Sequence, residues 1–399
     1  MSAQKGACDV VLIEKRRWII FSSVFVVVLL HLSLLLTTGS FRSQKPDFAA
    51  LYEAGRASLH HHSIGAAANG YTAIADTMHP PYEMIIFAPL ALLNYTEAYL
   101  VWWGCNVLLL LSVTFLLWKH VPQIHAWYHY LIILAATFFP ALVAVIQGQD
   151  SILLLFVLTL FFVRSIERRE FWAGFVLAMG MFKFVLVLPI ALSLVIERRW
   201  RAMIGFFAGF TALVFAGIAI DGVDGCMAYL RVLAGYSKSA PEKAGTESIM
   251  PNLRGFVHVI GSGFAPERWL MVVTIVISLA LFILVNWWFL RRGNTALRVA
   301  SQVVLAMIIS YHLSPHDASI LILPLLLLLY WCICWGVRAS LTVVVMCIAV
   351  LAYVCPLALP LNWSMPLVFC ASVALLGCLS VAIRNSESHW QTVVHPVSR

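Results

Sequence analysis

The run Trp18–Thr38, WIIFSSVFVVVLLHLSLLLTT, decides the fold class. It holds no charged side chain and is long enough to cross the roughly 30 Å hydrocarbon core of a bilayer as one helix. It is longer than the apolar part of a signal peptide and lacks a small-residue cleavage site before Phe41, so it reads as a retained span. Runs of the same kind recur to the end of the chain. The remaining spans are expected at 98–118, 128–146, 151–163, 202–220, 269–290, 299–310, 318–335, 341–355 and 363–383. Three apolar pieces, 82–93, 171–182 and 184–196, are too short to cross alone.

Composition agrees. Of 399 residues, 62% are hydrophobic and 11% charged, against about a quarter charged in soluble domains. Mean hydropathy is +0.92. Solid apolar blocks exclude the alternating pattern of a β-barrel. The expected architecture is an all-α polytopic membrane protein, a single domain over 1–399, with about 10–13 transmembrane and half-membrane helices.

The net charge of +8 reflects topology rather than nucleic-acid affinity. Lys15-Arg16-Arg17, Arg164–Glu170, Glu197–Arg201, Arg291-Arg292, Arg338 and Arg384 fall in short connections, as the positive-inside rule expects of cytoplasmic loops. On the outer face this leaves a first loop, 39–82, the turn Gln147–Asp150, a second large loop, 221–268, the turn Tyr311–Asp317 and a short turn at 356–362. Most of the nine cysteines lie inside apolar runs without ligand spacing, and read as small buried hydrophobes. No internal repeat of the transporter type is present.

Several stretches interrupt the apolar pattern with chemistry. In the first loop, Phe48, Leu51, Tyr52, Gly55 and Leu59 share one helical face, which predicts an amphipathic helix on the outer surface. Asp47 opens it, either as an N-cap or as a reactive carboxylate; the two roles are compatible. His79-Pro80-Pro81-Tyr82 forces an extended approach to the next apolar piece. Gln147-Gly148-Gln149-Asp150 is a tight polar turn whose amides and carboxylate would also suit sugar hydroxyls. Lys183 lies between the two short pieces 171–182 and 184–196, at the outer tip of a hairpin. It is either a snorkelling side chain or a cation at the rim of a cavity. His312, His316 and Asp317 crowd one turn, where they would bond a phosphate or orient a base. Arg254 in the second large loop would fork onto a phosphate. The His60–His62 run reads as a solvated interfacial cluster.

The order of these motifs resembles the integral-membrane glycosyltransferases of GT-C type, and family 87 most of all. The residues that carry it are Asp47-Phe48 with Tyr52, His79-Pro80-Pro81-Tyr82, Pro89-Leu90, Trp102 to Asn106, Gly148-Gln149, then Lys183 followed by Pro189 and Arg198-Arg199-Trp200. The second half agrees in hydropathy and in the Tyr311–Asp317 turn. The resemblance implies a GT-C-like bundle that transfers a hexose, mannose in that family, from a polyprenyl-phosphate donor to a hydroxyl of a glycolipid or glycan. The setting it implies is the periplasmic face of a bacterial inner membrane, among membrane lipids and without nucleic acid. It also implies that Asp47 is the catalytic base and that His312, or else His316, assists. His79, Tyr82, Gln147, Gln149, Asp150, Lys183, Arg254, His316 and Asp317 are the expected substrate-binding residues. No cofactor is expected. No carboxylate cluster in the sequence demands a divalent metal, though the chemistry would accept one. A multispan transporter and a lipid-linked glycan polymerase or ligase are the rival readings.

Overall fold

A computed structural model describes residues 21–39, 47–59, 79–121, 128–239, 249–290, 294–335, 338–350 and 364–394. The basic stretch Lys15–Arg17, the His60–His62 run and the turn at 356–362 lie outside the described residues. Every regular element among the described residues is helical.

Helix α1, Phe21–Thr38, is an apolar span. Helix α2, Asp47–Leu59, buries Phe48, Leu51, Tyr52 and Gly55, the face expected from their spacing. A 3-10 turn, Pro81–Glu83, leads into α3, Met84–Leu90. The long span α4, Tyr95–His120, follows, its first turn capped by Asn94. Helices α5, Tyr128–Thr137, and α6, Phe139–Gln147, correspond to the expected span 128–146, but the span is broken rather than straight. Pro140 explains the break, because it lacks the N–H that a continuous helix needs there.

Helix α7, Ser151–Ile166, is apolar all round and buried nearly all round, and so forms the axis of the bundle. Helices α8, Glu170–Ala178, and α9, Phe184–Ile196, meet at the 3-10 turn Met181–Lys183. They form the expected hairpin. Its base is closed by Arg199, which pairs with Glu170 at 2.7 Å and donates to Ser165 at 3.0 Å, so the chain returns to the end from which it started.

Helix α10, Trp200–Ser239, runs beside α8. A Cβ at Gly174 would collide with the Ala202 carbonyl, and one at Gly205 with the Phe171 carbonyl. Small residues let the two backbones touch, which is how helices associate where lipid removes the hydrophobic drive between them. At Gly222, φ 71 and ψ 174 break α10 into two helices, and the second continues well into the region read as the loop 221–268. That loop is also helical at α11, Leu253–Gly261, before α12, Glu267–Leu290. The glycines and aspartates of Asp221–Gly225 mask this at sequence level. A kink needs them, and so does a loop.

The chain closes with α13, Thr295–Ile309, a 3-10 segment Pro315–Leu321, then α14, Ile322–Trp335, α15, Arg338–Ala349, and α16, Ser364–Val394. By length and composition, five helices of the described residues can cross a membrane, or up to seven if each bent pair counts once, with three shorter apolar helices besides. Phe207 and Phe215 on α10, and Ile275, Val276 and Leu284 on α12, stay exposed, as expected of lipid-facing sides.

The path of 82–93 follows from its contacts. Glu83 lies beside Asp150, and at the other end Leu93 accepts a hydrogen bond from the Tyr52 hydroxyl at 2.8 Å. Tyr99 donates to the Ile146 carbonyl, and Trp102 Nε1 donates to the Gly148 carbonyl at 2.8 Å. Both ends of this segment thus reach the same end of the bundle, so α3 dips and returns. The turn Gln147–Asp150, the hairpin tip at Lys183 and the segment Ser310–Asp317 share that end. At the opposite end, His120 approaches Glu167 at 3.6 Å and Arg298 pairs with Glu197 at 3.4 Å.

Candidate active site

Lys183 is the hub. Its Nζ lies 2.7 Å from Asp150 Oδ1 and 2.8 Å from Asp317 Oδ1. One ammonium therefore ties the hairpin tip to two separate turns. Asp317 is saturated: Ser151 Oγ donates to Oδ1 at 2.7 Å and the Ser314 N–H donates to Oδ2 at 2.9 Å. His316 sits behind it. Its Nδ1 is 3.1 Å from Gln147 Oε1 and its Nε2 is 3.8 Å from Asp317 Oδ1.

Asp150 has a second neighbour. Its Oδ2 points away from the ammonium, 3.9 Å from His79 Nδ1, and receives no hydrogen bond among the described residues. His79 Nδ1 is 2.7 Å from Glu83 Oε2, a residue only 3% exposed. Glu83 and Asp150 offer carboxylate oxygens within 4.8 Å of each other. Burial would raise the Asp150 carboxyl, but Lys183 and then His79 hold it below the usual carboxylate range. Burial, with Asp150 alongside, lifts Glu83 to about 7 although His79 opposes the rise. The two acids thus differ in proton affinity because only one of them faces the ammonium.

Asp47 reaches this cluster from the side. It is the first residue of α2, half-buried, and its charge is felt by the His316 ring. The position is set by packing. Phe48 is fully buried among Tyr52, Phe87, Tyr95 and Tyr99, and it presses on Gly148. Gly148 adopts the left-handed conformation at φ 66, where a Cβ would stand 2.7 Å from Phe48 Cβ. Only glycine lets the turn bend there while α2 lies this close.

Of the expected site residues, His79, Gln147, Asp150, Lys183, His316 and Asp317 come together in one polar cluster, with Asp47 at its edge. Tyr82 borders it and donates to the Met181 carbonyl in the hairpin turn at 3.0 Å. Gln149 is buried in the same turn, its peptide N–H bonded to Ala144 O at 2.9 Å. Arg254 packs on the Ser310–Tyr311 part of the same segment. It is buried, with its guanidinium 4.3 Å above the Tyr311 ring, beside Asn252, which donates to the Ser310 carbonyl at 2.8 Å. His312 is half-buried between that anchor and Ser314. Two members went unrecognised in the sequence, Glu83 and Ser151. Glu83 carried no helical signal, because Pro80 is extended and only Pro81–Glu83 turns; its 2.7 Å contact with His79 comes from the fold. Ser151 carried no signal beyond its place after Asp150.

A buried, charged cluster at one end of a helical bundle whose outer sides are apolar defines a multispan membrane protein. Residues 78–315 match the model of glycosyltransferase family 87. That stretch is more than half of the chain, and the protein belongs to this family of GT-C type membrane glycosyltransferases. It is therefore a glycosyltransferase that binds a sugar donor and an acceptor. No curated protein sequence and no solved structure matches the chain significantly.

Proposed function

We propose that the protein transfers one hexose, mannose by its resemblance, from a polyprenyl-phosphate donor to a hydroxyl of a glycolipid or glycan acceptor. The reaction is a single displacement. The acceptor oxygen attacks the anomeric carbon, the bond from that carbon to the phosphate oxygen breaks, and Asp47 takes the hydroxyl proton. The phosphate leaves as a stable anion and needs no general acid. Attack from the side opposite the leaving group inverts the anomeric centre.

One observation carries this reading. The packing of Phe48 against Gly148 holds a first-loop carboxylate beside a buried cluster that contains a lysine and two histidines. The site lies at the end of the bundle, where α10 and α12 present apolar sides to lipid, which suits an isoprenoid-borne donor. Gln147 and Gln149 offer amides for sugar hydroxyls, His312 assists the base, and Arg254 adds positive charge further along the wall. Arginines 164, 168, 169, 198 and 201 gather at the other end of the bundle, so the positive-inside rule turns the site towards the exterior of a bacterial inner membrane.

The test is transfer from radiolabelled polyprenyl-phosphate mannose in vesicles carrying wild-type protein or Asp47→Asn. Loss of about 10²-fold or more in turnover, with donor binding retained, is expected of a removed base. Normal turnover in Asp47→Asn would leave that residue a structural role only.

A further inference from the structure

Lys183 is committed to Asp150 and Asp317, so it is a poor counter-ion for anything else. The cluster still holds more acid than base. Glu83, Asp150 and Asp317 are all buried, Asp47 stands at the edge, and Lys183 is the only lysine or arginine paired with any of them in the described ion pairs. Two oxygens show where the imbalance is concentrated. Glu83 Oε1 and Asp150 Oδ2 are buried and receive no hydrogen bond among the described residues, whereas Asp150 Oδ1, which also lacks one, is ion-paired to Lys183; the two carboxyl groups offer oxygens within 4.8 Å of each other. By contrast, both oxygens of Asp317 have donors. Two carboxylates that face each other at such range need a positive species between them.

We propose that His79, Glu83 and Asp150 form a binding site for a divalent cation of the Mn2+ type. One ligand atom from each lies within 4.8 Å of the other two. Two ligands of a first-row cation stand at most about 4.2 Å apart, and neighbouring ones about 3 Å, so the three side chains draw inward to close on an ion. Two carboxylates and one imidazole form a mixed oxygen and nitrogen donor set that accepts Mn2+, whose carboxylate preference the two acids meet. Asp150 bridges by its two oxygens, Oδ1 to Lys183 and Oδ2 to the ion, so the lysine fixes the ligand without occupying the site. The peptide geometry supports the set: Pro80 and Pro81 stiffen the approach, and the 3-10 turn Pro81–Glu83 holds Glu83 on the side of His79. Resting on the transfer reaction proposed above, the ion would supply the positive charge for a departing phosphate that Lys183 is not free to give.

Cation binding is measured without donor or acceptor. Purified protein in detergent is stripped with EDTA and titrated with Mn2+, and the free-ion electron paramagnetic resonance signal is followed. One bound Mn2+ per chain is expected in wild type and in Asp47→Asn. Glu83→Gln, which keeps side-chain volume, and His79→Asn should each weaken binding more than about tenfold, while eluting from a sizing column as wild type does. Mn2+ remaining free in the wild type, as when a proton alone fills the gap, overturns the site; so does binding undiminished in both variants. The Asp47→Asn transfer assay reports on the reaction separately, so either proposal can fail without the other.

Discussion

Replacing Lys183 by methionine keeps an unbranched apolar stem of similar reach, one atom shorter, and removes the ammonium. Its contacts with Asp150 and Asp317 are 2.7 and 2.8 Å, and all three side chains are largely shielded from water. At an effective dielectric near 20, each contact attracts by about 6 kcal/mol. Desolvation of the three groups and repulsion between the acids offset most of that sum. What remains on removing one partner of a buried pair is about 3–5 kcal/mol. An independent route gives the same size. The variant escapes by protonating one carboxyl, and holding an aspartate of ordinary pKa about 3.9 neutral at pH 7 costs about 4 kcal/mol. The sign of the pH dependence follows: the folded variant then carries a proton that its unfolded chain lacks, so its stability rises as pH falls. Relative to wild type, the deficit should shrink by about 1.4 kcal/mol per pH unit between pH 7 and about pH 5. Unfolding by SDS in mixed micelles, followed by the fluorescence of the 14 tryptophans and run in EDTA, measures this. Adding Asp150→Asn and Asp317→Asn to Lys183→Met should recover most of the loss, because a neutral replacement of a whole buried ion group is often tolerated. Lys183→Met unfolding at the wild-type SDS fraction, or with a deficit that ignores pH, would refute the argument that this ammonium holds the turns together.

Two further substitutions test the supports of the site. Gly148→Ala forces an L-residue to φ 66 and sets its Cβ against Phe48, so α2 must shift and carry Asp47 with it; turnover should drop about 10–100-fold with little change in donor affinity, read from vesicle kinetics. Arg199→Met removes the ion pair to Glu170, the contact with buried Glu197 and the bond to Ser165 at the far end of the hairpin; SDS unfolding should show a loss of about 3 kcal/mol.

Much of the site was legible because polar residues in an apolar chain stand out. Asp47, the Gln147–Asp150 turn, Lys183 and the His312–Asp317 turn each break a hydrophobic run, and burying such groups without partners is costly enough that they mark purpose or placement. The pairings were not legible. Ser151 meets Asp317 across 166 residues, and nothing local in either records the other. Glu83 escaped notice for a related reason. Next to two prolines it reads as punctuation, and its meaning comes only from Asp150, which the fold supplies. The bend at Pro140 had a local cause that length obscured, since 128–146 is long enough for one straight span. The helices inside 221–268 were hidden by the glycines that make the kink at Gly222.

The three charges of the hub also differ in what their own helices want. Asp150 stands at the N-cap of α7, and Asp317 is in the first turn of the segment Pro315–Leu321. Both are where a helical N-terminus, with its exposed N–H groups and positive dipole end, favours an anion. Lys183 is at the N-cap of α9, where the same field disfavours a cation. Helix formation therefore gives no reason for a lysine there, and the hairpin would close as well on a serine or asparagine. The ammonium is held by the two acids against the local preference of its own chain. Positions at which a local rule is broken and then offset by distant partners are expected at functional sites. By that argument the hairpin exists to carry this charge to the Asp150 and Asp317 turns. Aligning them leaves the second oxygen of Asp150 turned towards His79 and Glu83.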